Sequence, residues 1–167
     1  MRRGFVFYAF IFTTLAMLLS SGCRSSRPGK GASIGDEDIS LDRPMADRFE
    51  AGERINIYFE PVMFNYDSFK IKPSEVARVD SVASYMAQNA ETVCVLEGHC
   101  DERGSSQYNM SLGEQRAQSV RQQLIGVGIA SDRLQTRSYG EERPADPGHS
   151  ESAWSKNRRV EFKILSK

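Results

Sequence analysis

The stretch VLEGHCDERGSSQYNMSLGEQRAQSVR, Val95–Arg121, sets the architecture of this 167-residue chain. It begins inside an apolar strand, Thr92–Gly98, and continues after a short polar loop as an amphipathic helix, Tyr108–Ile125, which Gly126 and Gly128 close. A strand followed at once by a long helix is half of an α/β unit. We therefore expect strands and helices to alternate on both sides of it.

The flanking sequence meets this expectation. Before the stretch, the sequence predicts an edge strand over Ile55–Phe64, interrupted at Pro61, and a helix opened by Lys72-Pro73-Ser74-Glu75. After it, the sequence predicts a third strand over Leu134–Tyr139, a short helix over Ser150–Lys156 and a last strand in which Val160, Phe162 and Ile164 alternate. This order predicts an α+β fold, a two-layer α/β sandwich with a short extra helix before the last strand, over residues 54–167.

The first residues have the pattern of an export signal. Arg2 and Arg3 precede the apolar run Phe5–Leu19, which ends in small residues directly before Cys23. This predicts a signal peptide over residues 1–22. A retained membrane anchor is the alternative, but a spanning helix needs about 20 apolar residues and this run is shorter.

Residues 23–53 are rich in Ser, Gly, Asp, Glu and Arg and have no sustained apolar period. Such a segment buries too little surface to offset the entropy of ordering it. We predict a flexible tether between the signal and the folded domain. A structured segment ahead of the domain is the alternative.

Composition excludes several classes of function. The chain has 22 basic and 22 acidic residues, and removal of residues 1–22 leaves 20 against 22. A nucleic-acid-binding protein would need an excess of Lys and Arg, so that class is not expected. Two histidines and three cysteines leave little material for a metal site of several ligands, and we expect no metal or other cofactor.

The adjacent His99 and Cys100 raise the question of nucleophilic catalysis. Neighbours in an extended segment point to opposite faces, and no orienting third group is evident, so a cysteine hydrolase is not expected. Cys94 and Cys100 lie about 20 Å apart along a strand, beyond the roughly 7 Å that a disulfide can span. Each is either an inert buried thiol or a potential link to another chain.

One arginine lies inside the apolar stripe of the long helix. At 100° per residue, Leu112, Arg116 and Val120 share a face. An arginine in that position either extends to solvent or pairs with a carboxylate, and Asp101 on the preceding loop is the nearest candidate. Two interpretations stay open. Asp101 and Arg116 either form a structural ion pair or are held apart to bind a ligand.

A second arginine lies near the last strand. Arg158 shares parity with Val160, so its side chain should start on the core-facing side and reach over the end of the sheet. A solvated basic start to the strand is the alternative.

Several short motifs acquire meaning when taken together. They are Glu97–Gly104 (EGHCDERG), Tyr108-Asn109, Leu112-Gly113, Arg116-Ala117, Ser138–Pro144 (SYGEERP), Gly148-His149 and Asn157-Arg158-Arg159. In order and spacing they closely resemble the OmpA-like peptidoglycan-binding domain family, and in particular its lipid-anchored members. The Ser-Gly-Cys end of the signal resembles a bacterial lipobox, with Ser20 where leucine is usual, which implies lipidation of Cys23.

This resemblance implies a non-enzymatic domain that binds peptidoglycan at the meso-diaminopimelate of the stem peptide. It also implies a lipid anchor in the outer membrane, a domain facing the periplasm, and partners from the Tol system in envelope integrity and division. A periplasmic protein–protein adaptor on the same fold is the alternative, and an enzyme acting on the wall is a more distant one, because no nucleophile or metal cluster is evident.

The resemblance also implies a set of site residues. Asp101 would accept the ligand ammonium, and Arg116 would hold the ligand carboxylate bidentately. The other implied contacts are Tyr66 and Asp67 on the opposite wall, Arg103, Ser105, Asn109 and Leu112 at the corner between loop and helix, and Arg158 over the end of the sheet.

Overall fold

A computed structural model of the chain describes Phe49 and residues 52–166. The predicted signal peptide, Cys23 and nearly all of the predicted tether lie outside the described residues. Among the helices of the described part, none combines the length and the hydropathy that a membrane span requires.

The described residues form one mixed sheet with helices on it. The elements are β1 Val62–Met63, a 3-10 turn Pro73–Glu75, α1 Val76–Gln88, β2 Thr92–His99, α2 Ser106–Gly126, a 3-10 turn Ser131–Arg133, β3 Leu134–Gly140, α3 Glu151–Asn157 and β4 Arg159–Ser166. The strand order is β1-β4-β2-β3; β2 and β3 are parallel, and the other neighbours are antiparallel. The predicted two-layer α/β sandwich with a short helix before the last strand is confirmed.

The core lies between one face of the sheet and the two long helices. Buried residues recur at helical spacing, with Val79, Val82 and Met86 on α1 and with Val120 and Leu124 on α2. They pack on alternate residues of the strands, which are Cys94 and Leu96 on β2 and Val160, Phe162 and Ile164 on β4. The apolar periods in the sequence therefore place both helices on the same side of the sheet.

Two glycines allow α2 to lie close against β2. A Cβ atom added to Gly98 would come within 2.0 Å of the carbonyl oxygen of Gly113, and one added to Gly113 would come within 2.3 Å of Ser138 Oγ. Helix and strand backbones thus touch at this point. The contact also shows that Gly98 faces α2, so that its neighbours Glu97 and His99 face away from the helices.

The prediction of a strand over Ile55–Phe64 is wrong in extent. Only Val62–Met63 is a strand, and Arg54 forms an isolated bridge with Leu165. Val62 follows Arg54 by eight positions, whereas their partners Val160 and Leu165 are five positions apart, so the extra residues must leave the ladder. The departure includes Pro61, which has no N–H to donate. The alternation of apolar side chains is still seen in the packing, because Ile55, Ile57 and Phe59 are half-buried against the core.

Both ends of the described domain meet at one end of β4. Ser166 N–H donates to Glu53 O at 2.9 Å, and Ile55 N–H donates to Ile164 O at 3.0 Å. The N-terminal segment therefore joins the sheet beside the last residues of β4, at the end of the sheet where β2 begins, since Ser166 is opposite Thr92.

Candidate functional site

A pocket of about 180 Å³ opens where β2 ends and α2 begins. Its lining combines charged, aromatic and amide side chains, which are those of Tyr66, Asp67, Asp101, Arg103, Tyr108, Asn109, Leu112 and Arg116, together with Cys100 and Gly104. Pockets for drug-sized ligands measure about 300–1,000 Å³. This one is smaller, and its charged lining suits a small charged group such as the end of a side chain.

Two uncharged residues, Gly104 and Ser105, shape the loop between β2 and α2. Gly104 has φ of +111°, a conformation that favours glycine, and it reverses the chain ahead of the helix. Ser105 is the N-cap of α2, and its hydroxyl accepts the N–H of Tyr108 at 3.3 Å. Ser105 thereby orients the first turn of the helix, which carries Tyr108 and Asn109 into the pocket.

Asp101 is a buried carboxylate with two arginine partners. Its Oδ1 accepts the N–H and the Nε–H of Arg103 at 3.1 and 3.2 Å, and its Oδ2 accepts Nη2 of Arg103 at 2.7 Å and Nη1 of Arg158 at 3.0 Å. Burial by itself would raise the pKa of the Asp101 carboxyl, but the hydrogen bonds from Arg103 and Arg158 outweigh it and lower that pKa below its ordinary value. The group is therefore ionised at neutral pH.

Arg103 is fixed at the rim of the pocket by two aromatic rings. Its guanidinium carbon lies 4.1 Å from the ring centre of Tyr66 and 4.2 Å from that of Trp154. Such cation–π contacts hold a planar guanidinium between two faces. Its Nη2 also lies 3.5 Å from Glu151. The side chain remains about 30% exposed, so a ligand can reach it.

Arg116 is 1% exposed and neither extends to solvent nor pairs with Asp101. It donates from Nε to Ser68 O at 2.9 Å, from Nη1 to His99 O at 2.8 Å and to Cys100 Sγ at 3.3 Å, and from Nη2 to Asn65 O at 3.1 Å. Of the two interpretations of Asp101 and Arg116, the structural ion pair is therefore wrong, because backbone carbonyls take the place of the carboxylate.

These bonds also change the role expected of Arg116 toward a ligand. A guanidinium has five N–H groups, and the described contacts use four of them, which leaves one on Nη2. A bidentate grip on a carboxylate, as expected from the resemblance, is not available without breaking existing bonds. Burial lowers the pKa of the Arg116 guanidinium, but arginine stays protonated in proteins and keeps its positive charge at the base of the pocket.

The opposite wall is a turn at Tyr66 and Asp67. Asp67 has φ of +51°, a left-handed conformation that aspartate tolerates better than most residues. Its carboxylate accepts a hydrogen bond from the hydroxyl of Tyr108, which raises the pKa of that phenol. Arg116 ties the same loop from inside through Asn65 and Ser68. The wall is thus held to α2 from both sides.

The structure brings most of the predicted site residues together. Those that line the pocket are Tyr66, Asp67, Asp101, Arg103, Asn109, Leu112 and Arg116. Arg158 lies behind Asp101 and is 6% exposed, so its interpretation as a solvated strand start is wrong. Ser105 is the helix cap beside the pocket. Sequence reasoning missed Tyr108, although it lies one helical turn before Leu112 on the same face.

Cys100 and Asn109 close the floor of the pocket. The Cys100 thiol donates to Asn109 O at 3.2 Å, and Asn109 Nδ2 donates to Asp101 O at 3.2 Å and to Glu141. Burial raises the pKa of the Cys100 thiol to about 11. A thiol in this state is a poor nucleophile, and His99 faces the other side of the sheet, so the pair has no catalytic geometry.

Comparison with known proteins gives one consistent family. The pattern that defines the OmpA family matches residues 63–158. The chain is 37% identical to the peptidoglycan-associated lipoprotein of Pseudomonas aeruginosa over 94% of this chain and 96% of that protein. It is 42% identical to the peptidoglycan-associated lipoprotein of Haemophilus influenzae over 61% of this chain and 67% of that protein.

A solved structure extends the comparison to the fold. The crystal structure of the peptidoglycan-associated lipoprotein from Burkholderia pseudomallei matches with a TM-score of 0.61 and 33% identity, covering 62% of this chain and 88% of that one. Every residue that lines the pocket falls inside the range 63–158.

Proposed function

Because this chain belongs to the OmpA family, and within it to the peptidoglycan-associated lipoproteins, we propose that its folded domain binds the meso-diaminopimelate of the peptidoglycan stem peptide. Proteins of this family are structural and peptidoglycan-associated, and the chain is not an enzyme. The observation that carries the proposal is a small pocket in which two carboxylates and two guanidinium groups converge.

The chemistry of this pocket fits the free end of diaminopimelate, which carries one ammonium and one carboxylate on the same carbon. Asp67 and Asp101 supply the negative charges that an ammonium requires. The remaining N–H of Arg116 and the guanidinium of Arg103 supply donors for a carboxylate. A ligand with both charges therefore finds both partners within one cavity of about 180 Å³.

Arg103 has to adjust when the ligand enters. The oxygens of Asp101 already accept four hydrogen bonds, three of them from Arg103. The ligand ammonium takes the place of the partly exposed Arg103 side chain at Asp101, while the buried Arg158 keeps its bond. The released guanidinium then faces the ligand carboxylate, so one side chain pairs with Asp101 before binding and with ligand after it.

The same arrangement sets the selectivity. A lysine side chain lacks the second carboxylate, and its binding would leave Arg103 displaced from Asp101 with no new partner. Peptides of lysine-type wall should therefore bind much more weakly than those containing diaminopimelate.

The proposal includes the N-terminal part of the chain. Residues 1–22 direct export and are removed, Cys23 receives lipid, and the segment up to residue 53 links the outer membrane to a domain that faces the periplasm. About 30 residues reach roughly 100 Å when fully extended. The protein then fastens the outer membrane to the wall, with Tol-system proteins as periplasmic partners in envelope integrity and division. The sequence of the signal and the family membership support this part.

The test is calorimetric titration of the full chain in detergent with a diaminopimelate-containing stem peptide and with its lysine counterpart. We expect saturable binding of the first peptide alone. Asp67→Asn preserves the left-handed turn and should weaken binding by about 2 kcal/mol or more, because the buried ligand ammonium loses a counter-charge. Asp80→Asn, an exposed change on α1, serves as the matched control and should bind like the parent.

The alternative of a protein adaptor makes the opposite prediction. A folded parent chain that gives no heat with either peptide would overturn the wall-binding proposal. In that case binding to a periplasmic protein, unaffected by Asp67→Asn, would support the adaptor.

A further inference from the structure

The face of the sheet that points away from the helices carries a compact polar cluster. Glu97 on β2 is paired directly opposite Glu161 on β4, and His99 follows Glu97 by two residues on the same face. Like charges in directly opposite positions destabilise a sheet. Arg159 supplies positive charge to Glu161 at 2.6 Å, and Arg137 is the neighbour of Glu97 in the ladder with β3, so the member of the cluster that needs explanation is His99.

His99 is the least expected member of this cluster. Its side chain is 2% exposed, and neither ring nitrogen has a hydrogen-bond partner among the described residues. A buried polar group without a partner is unfavourable and calls for a physical explanation. The imidazole stacks on the ring of Tyr139 with centroids 5.4 Å apart, which fixes its plane and leaves the nitrogens at its edge.

The potential ligand atoms converge. One ring nitrogen of His99 and one carboxylate oxygen each from Glu97 and Glu161 all lie within 4.8 Å of one another. In a tetrahedral site, ligand atoms about 2.0–2.2 Å from the metal ion lie about 3.3–3.6 Å from one another. Glu97 and Glu161 are half-buried, so small side-chain rotations can close this difference.

We propose that Glu97, His99 and Glu161 form a binding site for a divalent transition-metal ion of the Zn²⁺ class. One imidazole and two carboxylates, with a water as the fourth ligand, are a ligand set that Zn²⁺ accepts in tetrahedral sites. Ca²⁺ and Mg²⁺ take oxygen ligands almost exclusively, so the imidazole favours a transition metal over them.

Neighbouring side chains orient the ligands as in known metal sites. The Tyr139 hydroxyl donates to Glu97 Oε1 at 3.3 Å, and Arg159 Nε donates to Glu161 Oε1 at 2.6 Å. Arg159 contacts Glu161 through Oε1 alone, which leaves Oε2 of Glu161 for the ion. Such outer partners fix ligand orientation and are a regular part of metal sites. Composition suggested too few His and Cys ligands for a metal, but here glutamates supply two of the three.

This site is separate from the pocket. The His99 side chain lies on the far side of β2 from α2, while its carbonyl oxygen accepts the bond from Arg116. The inference does not depend on the proposed binding of diaminopimelate, and either can fail without the other.

The test is titration of the metal-stripped full chain in detergent with ZnCl₂, followed by calorimetry, and with Co²⁺, followed by visible absorption. We expect one ion per chain and a tetrahedral Co²⁺ spectrum. Glu161→Gln, a change at a half-exposed position that should not prevent folding, and His99→Gln should each weaken binding about tenfold or more. Glu91→Gln, an exposed change at the other end of β2, should leave binding unchanged.

Two results would overturn the proposal. One is the absence of saturable binding by the folded parent chain. The other is binding that survives Glu161→Gln and His99→Gln but disappears in His149→Gln, which would place the ion at the exposed His149–Glu102 pair.

Discussion

Asp101 keeps its negative charge in a position where it is 3% exposed, because one arginine from its own loop and one from a distant part of the chain reach it. Arg103 is two residues away, and Arg158 arrives from the start of β4, 57 residues later. A carboxylate paired in this way stabilises the folded state only while it is ionised. The stability of the protein should therefore depend on pH through this residue.

Replacement of this charge should have an effect that depends on pH. Asp101→Asn should lower the free energy of unfolding at pH 7 by about 2 kcal/mol or more, because buried Arg158 loses its counter-charge. The pKa of Asp101 is lowered by folding, so its contribution is present above the unfolded value of about 3.9 and is lost as pH falls through the folded value.

Urea unfolding of the parent and of Asp101→Asn at pH 7 and near pH 2 measures this difference. We expect the gap between the two proteins to shrink at the lower pH. A gap of equal size at both pH values would contradict the assignment of a stabilising charge. Asp80→Asn, on the exposed surface of α1, should show little difference from the parent at pH 7.

Arg116 acts as a structural tie between three backbone segments. Arg116→Lys keeps the charge but not the fork that reaches the carbonyls of Asn65, Ser68 and His99, so the free energy of unfolding should fall by about 2–3 kcal/mol. Thermal or urea unfolding measures the loss. Arg121→Lys on the same helix removes a similar fork from a more exposed site and should cost clearly less. An equal cost for both would show that burial of Arg116 contributes nothing.

The sequence identified the charged residues of the pocket but not their partners. The position of Arg116 in the apolar stripe indicated an unusual arginine, and a carboxylate was the natural expectation. Its actual partners are backbone carbonyls, which every residue has and which leave no trace in the sequence. The parity of Arg158 did indicate the direction of its side chain, because alternation along a strand is a local property.

At the scale of elements, the contact between α2 and β2 depends on two glycines. Gly98→Ala would place a methyl group 2.0 Å from the Gly113 carbonyl oxygen, which must push the helix off the sheet. We expect the free energy of unfolding to fall by about 3 kcal/mol. At Gly126, at the end of the same helix, an added Cβ would meet no atom of the described residues within 4 Å. We therefore expect Gly126→Ala to leave the free energy of unfolding unchanged or to raise it by up to about 1 kcal/mol.

Chemical denaturation of both variants measures this contrast. A Gly98→Ala protein as stable as the parent would show that helix and strand have room to separate. Loss of stability in Gly126→Ala as well would point to a general intolerance of alanine rather than to the close approach.

Element prediction worked where the signal is local. Apolar periodicity predicts α1, β2 and β4 to within a few residues, whereas α2 begins two residues before the predicted Tyr108 because Ser105 caps it there. The strand over Ile55–Phe64 could not be corrected from its own residues. The length of this strand is limited because Arg54 and Val62 are farther apart in sequence than their partners on β4. That difference exists only in the folded sheet.

At the scale of the whole molecule, the two thiols of the domain report on global unfolding. Cys94 and Cys100 are free and buried, and burial raises the pKa of both thiols, that of Cys100 to about 11. Because the thiolate is the reactive form, both should resist iodoacetamide at pH 8 in the native protein and react together in urea. Mass spectrometry of the peptides that contain them measures the extent of labelling.

An engineered surface thiol provides the control for this experiment. Ser84→Cys, on the exposed side of α1, should react promptly under native conditions. Fast labelling of Cys100 alone in the folded protein would contradict the prediction, since it would mean that the pocket floor opens without unfolding of the domain.

The position of the chain ends has a mechanical consequence. The segment at Glu53 joins the sheet beside Ser166, while the pocket lies past His99 at the opposite end of the neighbouring strand. A pull between the N-terminal segment and a molecule held in the pocket would therefore act parallel to β2 and β4. The contacts of residues 53–55 with the end of β4 would then have to slide in unison instead of opening one by one. Strand contacts resist a force along the strands more than a force that opens them one at a time.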